Sequence, residues 1–374
     1  MFVSSMLNLG IDLGALEHNY RQLRGLCEPG VKMLAVIKAD AYGHGLLPVA
    51  RRLAQAGADY LGVGSLDEGL TLRQAGLRLA ILLLLGILPH EAERTVAAHL
   101  EVALFRRDVA EALAAAARSQ MKKATVHLKV DTGMGRLGLL PGEVPEFLAG
   151  LQDYRQLEVL GLISHLAVAD LEDKTYTLRQ LQDFTKLLAA ARGQGWALPL
   201  SHISNSAALW DLKEAHLGLV RPGLMLYGSP PAPDRPPPVE LKPVMTLTTQ
   251  VLQLKRLAPG SSISYGCTHT TSDWCDLAVL PVGYCNGYNR LLSNRGEVLI
   301  QGRRAPIRGR VCMNLTMVEV TGIEGVKEGD RVTLLGQDGD DQIRADELAA
   351  WADTISYEVY CMLGAANLRR YQEK

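Results

Sequence analysis

Between residues 31 and 220 the chain alternates short β-rich runs with Ala/Leu/Arg-rich segments of helical spacing. No other feature constrains its fold as strongly. The β-rich runs occupy residues 31–37, 60–63, 80–85, 102–105, 125–130, 159–163, 202–203 and 217–220. Helical spacing marks residues 46–56, 66–75, 91–98, 109–118 and 176–192. Alternation of this kind predicts a parallel sheet with crossover helices. Eight such runs predict a (β/α)8 barrel. The longest apolar stretch, residues 79–88, is too short to span a bilayer and reads as a buried strand followed by a turn.

A barrel carries its chemistry at the carboxyl ends of its strands. Lys38, Asp131, His165, the segment 204–206 and Arg221 each lie at or just after the end of a predicted strand. Lys38 opens Lys38-Ala39-Asp40-Ala41-Tyr42-Gly43-His44-Gly45, directly after an apolar run. A lysine facing inward there is costly unless it is neutralised or paired. It is either an amine desolvated to form a Schiff base with an aldehyde or a rim lysine paired with Asp40. The small loop after it brings backbone close to a bound group. Asn205-Ser206 reads as a helix N-cap before Ala207-Ala208-Leu209, and helix starts also bind phosphate. Arg221-Pro222-Gly223 could be an ordinary turn, and Tyr265 an ordinary core tyrosine.

Residues 229–238 hold six prolines, Pro230, Pro231, Pro233, Pro236, Pro237 and Pro238, and mark a linker. Beyond them, residues 245–254, 277–280, 297–300, 305–307, 316–320 and 331–335 alternate or run apolar between Gly and Asn turns, predicting a β-rich second domain. With 374 residues, 48% of them hydrophobic, the chain can build two or three cores. A net charge of -1 and the lack of a basic block argue against a nucleic-acid partner. The six cysteines have neither zinc nor thioredoxin spacing, so no metal is expected and a reduced, cytoplasmic chain is the simplest reading. Residues 1–10 do not resemble a signal peptide, and no membrane partner is expected.

Several motifs, in order, resemble the alanine racemase family. They are Val36-Ile37-Lys38-Ala39-Asp40-Ala41-Tyr42-Gly43-His44-Gly45, Lys129-Val130-Asp131-Thr132-Gly133-Met134-Gly135-Arg136, Ser204-Asn205-Ser206-Ala207-Ala208, Val220-Arg221-Pro222-Gly223, Ile263-Ser264-Tyr265-Gly266, Leu280-Pro281-Val282-Gly283-Tyr284 and Gly309-Arg310-Val311-Cys312-Met313. The resemblance implies an α/β fold, an N-terminal (β/α)8 TIM-type barrel at 11–238 with a C-terminal mostly-β domain at 239–374. The strand within residues 1–10 would join the second domain. It implies pyridoxal 5'-phosphate (PLP) on Lys38, with Tyr42, Ser206, Gly223, Leu224 and Tyr357 at its phosphate and His165 and Asn205 nearby. Arg221 would face the pyridine nitrogen. Arginine cannot accept a proton, so the cofactor would be a weakened electron sink. Arg136 and the Met313 backbone would meet the substrate carboxylate, and Lys129 would be open to carbamylation. Lys38 and Tyr265 would be the two bases of L-alanine/D-alanine interconversion. Tyr265 would come from the partner subunit of a homodimer with shared active sites, and the product would feed peptidoglycan precursors.

The sequence departs from the family at Asn314, where aspartate is usual, at Cys285-Asn286-Gly287 and at Cys267-Thr268-His269. Its last stretch, residues 363–370, matches the usual basic close only loosely. These departures bear on substrate breadth and rate. A racemase of broader specificity is the nearest rival reading. A decarboxylase of the same fold would carry a triple-glycine phosphate loop, which is missing, and a PLP-binding protein without turnover would have no second domain.

Overall fold

The computed structural model describes residues 6–373; the start of the expected 1–10 segment and Lys374 lie outside them. The first described strand, β1 (Asn8–Asp12), belongs to no barrel. The barrel strands are β2 (Lys32–Val36), β3 (Tyr60–Val63), β4 (Ala80–Leu83), β5 (Glu101–Leu104), β6 (Ala124–Lys129), β7 (Leu157–Ile163) and β8 (Leu219–Val220). They form one parallel sheet in the order β7-β6-β5-β4-β3-β2-β8. Strands covered on both faces need continuous apolar runs, and β3 and β4 supply them. The crossover helices turn one stripe inward. Leu46–Gln55, for instance, buries Leu46, Val49, Ala50 and Leu53. Ser65 caps Leu66–Gln74 in a reciprocal pair with Glu68.

The strand expected at 202–203 is a correction. Only an isolated bridge joins His202 to Ile163. The segment nonetheless closes the barrel. Its backbone bonds β7 through Leu200 and His202, and it accepts from Gly218 and Arg221 on the other side. Gly161 and Gly218 leave no room for a Cβ against the 199–201 backbone. The chain is pressed too closely there for a regular ladder.

The second domain contains β9 (Met245–Gln250), β10 (Gln253–Leu257), β11 (Ser262–Ile263), β12 (His269–Thr270), β13 (Cys275–Leu280), β14 (Glu297–Ile300), β15 (Arg303–Pro306), β16 (Thr316–Glu319), β17 (Arg331–Asp338), β18 (Asp341–Ile343) and β19 (Arg369–Gln372). The single run expected at 245–254 breaks into two strands at Val251 and Leu252. The main sheet runs β15-β14-β17-β9-β1-β19, with β18 on β17, and β10-β13-β16 form a second sheet. Strand β1 pairs antiparallel with β9 and parallel with β19, so distant segments of the chain meet in one sheet. Two helices, Ala345–Trp351 and Ser356–Ala366, have no counterpart in the sequence expectation. Among the described residues no helix is long and apolar enough to cross a membrane.

Candidate active site

Lys38 follows β2 and begins a left-handed turn. Ala39, Asp40, Ala41 and Tyr42 all have φ of 54–55°. Each L-residue held there costs about 1–2 kcal/mol, so the turn needs outside support. Asp40 Oδ1 accepts from the Leu46 amide at 2.6 Å, and the Asp40 amide donates to Glu68 at 2.9 Å. Arg369 forms an ion pair with Asp40 and donates to the Gly43 carbonyl at 2.6 Å. A methyl on Gly43 would collide with the Tyr360 carbonyl, and one on Gly364 with Gly43 itself. The helix Ser356–Ala366 and β19 therefore clamp the turn. Asp40 pairs with Arg369, which leaves Lys38 without it. Burial lowers the Lys38 amine below its ordinary pKa, and Arg136 and Arg221 add to this.

Arg221, at the end of β8, is 5% exposed. It is no turn arginine at the surface. It donates to His202 Nδ1 at 2.9 Å, to the Ser164 carbonyl at 2.8 Å and to the Ile203 carbonyl at 3.2 Å, and its Nη2 lies 3.3 Å from His165 Nδ1. Burial and Arg136 bring its pKa down to about 9. His165 is driven down to about 2 by burial and by Arg221, Lys129, Arg136 and Lys38, so its imidazole is neutral. Lys129 closes β6 and is 8% exposed. Burial, then Arg221 and Arg136, push it down to about 7. Among the described residues no carboxylate lies within ion-pair distance of it.

The approach of Arg136 is set by Asp131. The Asp131 carboxylate accepts from the amides of Gly133, Met134, Gly135 and Arg136. Burial would raise its pKa, but these four amides hold it below the usual carboxylate range. Lys38, Lys129, Arg136 and Arg221 thus converge with too few anions among them. Such a cluster attracts a multiply charged anion.

A cradle adjoins the cations. Asn205 Oδ1 caps Ser206–Asp211 by accepting from the Ala208 amide, while Ser206 Oγ accepts from the Gly223 amide at 2.9 Å. The capping use expected of this dipeptide is therefore present, and Ser206 is brought against the Gly223 backbone. A Cβ on Gly223 would lie 2.6 Å from the Tyr42 hydroxyl, and buried Leu224 follows on a single 3-10 turn, Leu224–Tyr227. The Tyr42 ring lies 5.6 Å from that of Tyr357. Burial raises the Tyr42 hydroxyl strongly and, with Asp170, pushes Tyr357 up to about 12, so both remain donors.

Tyr265 and Met313 stand apart. Their loops adjoin through Ser264, which donates to the Arg310 carbonyl at 2.7 Å and meets Cys312 at 3.3 Å. Tyr265 is 73% exposed and Met313 56%, so neither is a core residue. Among the described residues no hydrogen bond, ion pair or ring contact joins them to Lys38. Two departures from the family pattern touch one another: the Asn314 amide donates to Cys285 Sγ at 2.9 Å.

Sequence reasoning missed three neighbours of this site. Glu68 and Cys361 both act on the Lys38 charge. Glu68 was legible only as the partner of Ser65 in a helix cap, and Cys361 sits on an unanticipated helix. His202 was read as strand, and its partner Arg221 lies 19 residues further on, so no local signal paired them.

Family comparisons agree over nearly the whole chain. Residues 11–231 match the model of the alanine racemase N-terminal domain, and residues 244–371 that of the C-terminal domain. The alanine racemase of Syntrophobacter fumaroxidans is 45% identical over 361 residues, covering 96% of each chain. The solved alanine racemase of Clostridium difficile 630 superposes with a TM-score of 0.92 at 34% identity, over 100% of this chain and 97% of that one. An alanine racemase from Bartonella henselae, solved with covalently bound pyridoxal phosphate, gives a TM-score of 0.89 at 29% identity, over 99% of this chain and 100% of that one.

Proposed function

The chain belongs to the alanine racemase family of amino-acid isomerases, and from that premise we propose that it interconverts L- and D-alanine with PLP attached to Lys38. One observation carries this reading: a desolvated strand-end amine stands in a four-cation cluster beside a cradle of neutral donors. The residues fit the cofactor. Ser206, the Gly223 amide, Tyr42 and Tyr357 suit a phosphate, with Asn205 and Leu224 framing it. When bound, PLP supplies the electron sink that acidifies the α-hydrogen.

The protein's own groups do the rest. Arg221 can only donate, so it would hold the pyridine nitrogen of a bound PLP unprotonated and temper the sink. His165 holds the Arg221 edge. Arg136 and the Met313 backbone orient the alanine carboxylate. Lys38 moves the proton on one face of the α-carbon, and Tyr265 of a second copy moves it on the other. The exposure of Tyr265 and Met313 supports a homodimer with shared sites. Lys129, an amine brought down to about 7 among cations and so partly unprotonated near neutrality, suits carbamylation, which would turn it into an anion facing Arg136. The setting we infer is cytoplasmic, with D-alanine leaving for peptidoglycan precursors. The Asn314–Cys285 contact beside Met313 favours a second reading, a wider substrate range. Chiral chromatography after incubation with single enantiomers of several amino acids tests both. Borohydride fixation and peptide mapping should place the cofactor on Lys38. No racemisation of any amino acid, or fixation at another lysine, overturns the proposal.

A further inference from the structure

Four polar side chains cross the barrel interior, where branched apolar residues are the rule. Glu101 stands at the amino end of β5, with its side chain 13% exposed. Its Oε2 lies 2.9 Å from His127 Nε2 on β6. His127 Nδ1 lies 3.1 Å from His202 Nε2, and His202 Nδ1 lies 2.9 Å from Arg221 Nη1. Both imidazoles are fully buried. Tyr60 donates to Glu101 at the far end. Buried polar groups are costly unless every one is satisfied, so this line from the barrel floor to the active site calls for an explanation.

Hydrogen-bond direction supplies it. Arg221 has donors only, so His202 Nδ1 must be bare. A neutral His202 then carries its proton on Nε2 and donates to His127. His127 Nδ1 must in turn be bare, and its Nε2–H points at Glu101. A carboxylate is the one ionisable group at that end that can accept without a proton of its own. Every donor in the chain thus points from Arg221 toward Glu101.

We propose that Glu101, acting through His127 and His202, is the positioning carboxylate for Arg221. It accepts the last proton of the line that Arg221 orients, which holds both imidazoles and thereby the edge that Arg221 turns toward the ligand. What Arg221 faces rests on the function proposed above, but the relay can be tested without it. Nitrogen-15 NMR of histidine-labelled, cofactor-free protein should find both His127 and His202 as Nε2–H tautomers. In Glu101→Leu, His202, still facing Arg221, should stay Nε2–H, while the His127 Nε2–H loses its acceptor and its nitrogen-15 and proton shifts should move. In the holoenzyme the same change should lower kcat about tenfold with KM within about twofold, the loss of one charge-assisted hydrogen bond. Glu101→Gln, whose amide oxygen still accepts, should keep the tautomers and most of the rate. A wild-type His202 protonated on Nδ1 overturns the relay, and that reading needs no variant to fold. A folded Glu101→Leu enzyme with unchanged kcat overturns the positioning role. Wild-type protein that shows the tautomers but no racemisation would sink the proposed function and leave the relay standing.

Discussion

Lys129 shows how much of a residue's chemistry its neighbours decide. Its position before Asp131 was legible, but its surroundings were not, because Arg221 is brought beside it only when the barrel closes. Burial, then Arg221 and Arg136, lower its pKa to about 7. An unfolded lysine titrates near 10.4, so between about pH 7 and 10.4 the unfolded chain binds more protons. The burial penalty is therefore full below about pH 7 and fades as pH climbs through that window. Lys129→Met should stabilise the cofactor-free protein at pH 6–7 by about 2–4 kcal/mol, and the gain should shrink toward pH 10. Urea unfolding in carbon dioxide-free buffer at several pH values measures this. A gain that does not change with pH contradicts it. Ser206 and Asn205 were the opposite case. Capping follows from local sequence, and the Asn205 cap appears.

At the scale of elements, β3 and β4 were readable as continuous apolar runs, and the other barrel strands as β-rich runs alternating with helical spacing. The helix Ser356–Ala366 was not. It has apolar residues on every side, so no periodic stripe announced it. The turn after Lys38 was readable as a loop but not as a left-handed one, since alanine and tyrosine carry no preference for that conformation. Its backbone makes an unusual mutational forecast. Ala→Gly in an ordinary helix costs about 1 kcal/mol. At exposed Ala39 (φ 55°), relief of about 1–2 kcal/mol of strain opposes a similar loss of unfolded-chain restriction. Ala39→Gly should therefore be neutral or stabilising by up to about 1 kcal/mol. Urea midpoints decide it, and a loss above about 1 kcal/mol would show that the turn is not strained.

Across the whole molecule, Lys38 and the exposed Tyr265 sit on different domains, and among the described residues no hydrogen bond, ion pair or ring contact joins them inside one chain. Lys38→Ala and Tyr265→Ala should each be inactive. Dissociating and reassociating the two should regain about a quarter of wild-type activity, since half the dimers are mixed and each holds one intact site. Mixed dimers that remain inactive would mean that each chain completes its own site. The two-domain plan was legible from a change of texture and a proline linker, whereas the pairing of β1 with β9 and β19 needed the fold, because no local pattern encodes a partner so far away in sequence. The clamp on the lysine turn reaches equally far: Arg369 lies 326 residues from the Gly43 carbonyl it holds. On a growing chain Lys38 emerges early, and Leu46 and Glu68 soon after, but the left-handed turn gains its last braces when residues 360–369 have emerged and docked. Completion of the turn is thereby deferred to the end of synthesis, and a prematurely stopped chain presents Lys38 on a turn that lacks its distant braces.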